Sequence, residues 1–205
     1  MAEFAGPDAG DAGPAEVLRS WWTGGQLQLA IALTTEEYGD VLITHAGLTR
    51  GRWLQLGAPG AAAEAARLIN LDVGEPVDEA IHGGVLTGAD AGSAAKRADV
   101  TWAEVLTELY EPWLAAGDAP FTQIHGHAAP WNWAKGGWWP EASPAVRGAT
   151  EVSRCERRTT TRLTPRRDGP VAVSVDWMLG DQPTTQTWPL LILTLTPESG
   201  AAAAL

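Results

Sequence analysis

Two short apolar runs, residues 41–44 (VLIT) and 121–124 (FTQI), each break off directly into histidine, at His45 and at His125-Gly126-His127. Both runs are too short for a helix, and their β-branched and aromatic content suits buried strands. Helical patterns lie between them. An alanine-rich segment opens after Gly60 and covers residues 61–71. A second opens at Thr101-Trp-Ala-Glu104, a capping-box pattern, and runs to about Tyr110, with Pro112 ending or kinking it. Strands separated by helices predict an α/β fold, and in α/β layers ligands gather where strands end, at their carboxyl edges.

The rest of the chain fits around that frame. Residues 1–14 are small, polar and Gly/Pro-punctuated, which predicts a flexible tail. A helix over 15–22 stops at Gly24-Gly25, and residues 26–33 (QLQLAIAL) read as a strand. The Gly/Asp/Ala stretch at 82–95 reads as loop, as does the Trp/Pro/Gly segment at 128–148. Three further strands are predicted over 154–164, 171–176 and 190–196, the first two joined by the turn Pro165-Arg-Arg-Asp-Gly169. The organisation is one domain over 15–196 with a frayed end at 197–205.

At 205 residues, 45% apolar and 19% charged, the chain can bury well over half of its unfolded surface without disulfides or metal. The longest apolar stretch, residues 188–195, is too short to cross a bilayer. Met1 is followed by no basic start and no apolar run, which predicts no secretory signal, and a single cysteine, Cys155, points to a reducing cytoplasm. The net charge is −11. Residues 154–167 hold six arginines against Glu156, a local +5, so the remainder carries −16. Such an acidic bulk disfavours nucleic acid and anionic membrane as partners, and the basic run reads as a solvated strand face. Eleven tryptophans stand beside only two tyrosines and two phenylalanines, a swing that codon bias in a G+C-rich gene produces.

Imidazole at the end of a strand, with glycine close by, is a natural ligand for a divalent metal. One such histidine is more often a strand cap. Two strand ends, 80 residues apart in sequence and delivering His45, His125 and His127, favour the metal reading.

The residues that carry this reading also resemble a known family. Val41-Leu-Ile-Thr-His45-Ala-Gly-Leu-Thr49 resembles the strand–His–Ala/Gly–Gly–Leu block of calcineurin-like metallophosphoesterases, and Ile124-His-Gly126-His127 resembles the later Gly–His block. The resemblance implies part of an αββα sandwich, with mixed sheets and C-terminal hairpins. It also implies a dinuclear centre of Mn, Fe, Zn or similar ions, with His45 and His127 ligating one ion and His125 fitting as a further ligand. His82 matches no ligand of the family and reads as a loop residue. The reaction implied is hydrolysis of a small phosphoester or phosphoprotein.

The family's earlier blocks, Asp-x-His, Gly-Asp with its following Asp or Asn, and Gly-Asn-His, are absent. The Gly-Asp pairs at 10–11, 39–40, 117–118 and 180–181 lack the required continuation, and Asn70 and Asn132 precede no histidine. The chain therefore resembles the C-terminal half of such an enzyme, a fragment expected to be inactive in isolation and to expose apolar sheet that invites self-association. A different reading rests on Trp131, Trp133, Trp138 and Trp139. Exposed indoles in one loop would make a binding module for sugars or nucleobases, against a packed lid as the plain alternative. His125-Gly-His127 also suggests a cupin site, but Pro130-Trp131 stands where that motif wants glutamate. Cys155 has no histidine near it in sequence and reads as a structural thiol, and no phosphate-cradling glycine motif is present.

Overall fold

Alternation on strand β2 (Gly39–Thr44) sets the layering of the molecule. Leu42 joins one apolar cluster, whereas Val41 and Ile43 belong to another, as a period of two requires. The structure, a computed structural model, describes residues 14–72, 100–155, 158–165, 169–175 and 194–195. Strand β1 (Ala30–Thr35) pairs antiparallel with β2, and Gly39 takes φ 66° as the turn closes. β2 runs parallel to β3 (Thr122–His125) and β3 parallel to β8 (Ala172–Ser174). Beyond β8 the antiparallel strands β7 (Arg158–Leu163) and β6 (Thr150–Cys155) complete a six-stranded mixed sheet, in the order β1-β2-β3-β8-β7-β6. A separate small hairpin pairs β4 (Trp131–Asn132) with β5 (Gly137–Trp138).

Helices cover the Leu42 face. They are α2 (Arg50–Gln55), α3 (Ala62–Asp72), a π-helical turn α4 (Val105–Tyr110), α5 (Glu111–Ala116) and α6 (Pro144–Ala149), with α1 (Pro14–Thr23) preceding the sheet. Trp53, Ile69, Leu106, Leu109, Trp113 and Val146 meet Leu42, Leu163 and Ala172 in this core. Asn70 ties α3 to the start of β1: its Oδ1 accepts from the amides of Leu29 and Ala30, and its Nδ2 donates to Ala30 O. The opposite face carries Val41, Ile124, Val171 and Val173, all buried. The fold is therefore mixed α/β around a six-stranded mixed sheet. Among the described residues no helix is long and apolar enough to cross a membrane.

Several expectations shift. β1 begins at Ala30, not at 26, because the amides of Gln26 and Leu27 both donate to Trp21 O and close the end of α1. The strand expected over 154–164 is a hairpin: β6 and β7 pair with Cys155 opposite Arg158, joined through residues 156–157. The cap expected at Thr101 sits at Glu104, whose carboxylate accepts from Thr107 N at 2.6 Å while Glu108 accepts from Glu104 N at 2.7 Å. Pro112 does not end the helical run. It lies in the first turn of α5, and the wider π-turn before it accommodates a residue that has no N–H and crowds the preceding carbonyls. Helices α2 and α6 fall where loop was expected or nothing was assigned. β7 and β8, which flank the turn expected at 165–169, are antiparallel neighbours, and residues 166–168 of that turn lie outside the described residues. Thr194 and Leu195 lie along β1, with Leu195 bridged to Thr35. The tail 1–13, His82 and the 82–95 loop, most of the 190–196 strand and the 197–205 end lie outside the described residues.

Candidate functional site

β2 and β3 are adjacent and parallel, with Thr44 opposite His125, so the chain leaves both strands at the same edge of the sheet. The two exits are stitched together where Gly126 N donates to His45 O at 2.8 Å. After β2 the loop is held from three sides: Ala46 N donates to Val100 O, Gly47 N to Thr44 Oγ1 and Leu48 N to the buried Gln123 Oε1. Gly47 adopts φ 90° directly against Leu109. After β3, Ala128 N donates to Gly126 O at 2.7 Å, closing a three-residue turn with His127 at its centre and φ 65°. That γ-turn sense is rare and strained for a residue with a side chain, and such strain persists where surrounding structure fixes it.

These two exits bring His45 and His127 together. Their ring centroids are 5.0 Å apart and tilted by 57°. His45 is exposed and His127 half-buried, with Trp102 packed edge-on against His127 at 4.4 Å.

His125 is not part of this pair. It is 1% exposed, with Nδ1 3.0 Å from Gly126 O and Nε2 3.2 Å from the Tyr110 hydroxyl. A carbonyl only accepts, so Nδ1 carries the proton and Nε2 accepts from Tyr110. Burial pushes the Tyr110 pKa up, which keeps that hydroxyl protonated and able to donate. Both ring nitrogens are thus engaged in the core, and His125 lies apart from the contact between the His45 and His127 rings.

Comparison with known proteins finds no match: no family model, no curated protein and no solved structure matches this chain. The site therefore has to be read from its own geometry. No group of three or more His, Cys, Asp or Glu side chains able to hold a metal comes together among the described residues. With Zn–N about 2.1 Å and the ring centroid roughly 1.1 Å further out, two imidazoles on one tetrahedral ion would have centroids about 5 Å apart. The observed spacing is that of a tilted ring contact and equals this value, and two imidazoles are half of a four-ligand set.

A cavity of about 500 Å³ adjoins His127, its lining including Glu104, Val105, Leu106, Trp139 and Glu141. Sequence reasoning did not find it. Glu104 carried only a cap signal, and Glu141 stands 14 residues beyond His127 with nothing in its spacing to link the two.

The tryptophan loop forms the β4–β5 hairpin. Trp131 and Trp138 are cross-strand partners with rings 5.2 Å apart, and Trp133 packs 6.3 Å from Trp131. Trp139 Nε1 donates to Ala129 O, and Trp138 and Trp139 pack against the main core. All four indoles are half-buried. Within the basic run, Arg162 is exposed on its strand and lies over the Tyr38 ring at 5.7 Å.

Proposed function

We propose that His45 and His127 form the imidazole half of a divalent-metal site for phosphoester hydrolysis, in a chain that resembles the C-terminal half of a calcineurin-like metallophosphoesterase. The observation that carries this reading is the 5.0 Å approach of the two rings at the carboxyl edge of adjacent parallel strands. A divalent ion bound there would act as a Lewis acid on a phosphoryl oxygen.

The chain's own contribution is orientation. The hydrogen bond from Gly126 N to His45 O fixes the two loops against each other, and the His125–Tyr110 pair anchors the second loop from below. The family's earlier carboxylate-bearing blocks are absent from the sequence, so hydrolysis by this chain alone is expected to be weak. The substrate is a small phosphoester or a phosphoprotein, and the single cysteine favours a reducing cytoplasm as the setting.

Phosphate binding tests this proposal apart from turnover. Equilibrium dialysis of inorganic phosphate against the manganese-loaded chain should show saturable binding that disappears without metal and in His45→Ala and His127→Ala. An acidic chain offers phosphate little other reason to bind. Phosphate binding indifferent to metal, or none by a metal-loaded chain, would contradict the proposal.

A further inference from the structure

We infer that the cavity beside His127 is a pocket for an organic cation, so that the phosphoesters handled here carry an amine or quaternary ammonium group on the leaving alcohol. Its role as a leaving-group pocket rests on the phosphoesterase reading above; its preference for cations does not. At about 500 Å³ the cavity has room for a small organic group. Val105 and Leu106 give it an apolar wall, Trp139 an aromatic one, and Glu104 and Glu141 two carboxylates. No Lys or Arg is among its lining residues.

That combination is what an alkylammonium group needs. Its methyl or methylene shell meets apolar surface, its charge meets the indole face, and the carboxylates supply the counter-charge. Trp139 is held at this wall by its bond to Ala129 O. Both cap bonds of Glu104 fall on Oε2, so Oε1 is not spent on the helix end. An anionic leaving group such as a nucleotide would face two carboxylates against the single imidazole of His127, and a neutral one would gain only apolar contact. In the reaction, water adds across the P–O bond and releases phosphate together with the amino alcohol, which departs through this cavity.

The test is calorimetric titration of the full chain, stripped of metal, with choline, with its uncharged isostere 3,3-dimethyl-1-butanol, and with AMP. Choline should bind saturably and on the order of tenfold more tightly than the isostere, with AMP weakest of the three. Glu141 is exposed, so Glu141→Gln and Glu141→Lys should fold normally, weaken choline progressively and leave the isostere unchanged. Equal binding of choline and isostere, preferred binding of AMP, an absence of choline binding, or indifference to Glu141→Lys would overturn the cation pocket. The phosphoesterase reading fails separately, through loss of metal-dependent phosphate binding. Choline selectivity in a chain that takes up no metal would keep the pocket and remove its leaving-group role.

Discussion

Replacing Trp113 with alanine is expected to lower stability by about 3–5 kcal/mol, the usual range for truncating a large core aromatic. Trp113 is 1% exposed, packs on Trp53 at 5.3 Å between ring centroids, and sits at the centre of the helix-covered core. Its indole also donates to Leu48 O at 2.8 Å, so truncation strips a partner from the loop that follows His45. Leaving such a buried carbonyl unpaired costs a further ~1–3 kcal/mol. Trp113→Phe helps to separate the two effects, because it loses the donor but only part of the ring volume. It should cost less than Trp113→Ala while still loosening the Leu48 carbonyl. Denaturant unfolding followed by far-UV circular dichroism measures both. A Trp113→Ala loss below about 1 kcal/mol would show that this core is not organised around Trp113.

Gly47→Ala should cost about 2–4 kcal/mol, a large effect for one methyl group. Two causes add. The backbone at Gly47 has φ 90°, which L side chains rarely adopt, and a Cβ there would come within 2.5 Å of Leu109 Cδ2 and 2.9 Å of Leu109 Cδ1. Leu109 is fully buried and has little room to retreat. The double variant Gly47→Ala/Leu109→Ala should therefore lose less than the sum of the two single changes, since the cavity at 109 accepts the new methyl. Only the backbone strain then remains. Thermal unfolding of the four species reads this directly, and strict additivity would contradict the contact. Because Gly47 lies two residues beyond His45, the single variant should also weaken metal uptake.

The strands that build the site were legible because their signals are local. VLIT and FTQI are short apolar runs with abrupt ends, and the alanine-rich α3 has enough length to declare its period. Helices α2 and α6 have six residues each, too few for periodicity, although Thr49 and Ser143-Pro144 are ordinary helix-start signals and do cap them. The break between β6 and β7 carries no Gly, Asn or Pro at 156–157, so a single strand was the natural reading.

At the site, the approach of His45 to His127 follows from two strand ends becoming neighbours. The role of His125 does not. All four residues of β3 are buried, so alternation cannot tell a side chain aimed at the site from one tied into the core, and Tyr110 decides it from 15 residues away. Glu104, Trp139 and Glu141 meet at one cavity only through tertiary packing.

Metal stoichiometry of the purified chain, dialysed against manganese and then zinc, bears most directly on the His45–His127 pair. The expected result is about one weakly held ion per chain, lost in His45→Ala and in His127→Ala, and retained in Tyr110→Phe, which alters only the support beneath the site. Uptake that is absent, or equal in wild type and both histidine variants, would contradict a metal site at this sheet edge.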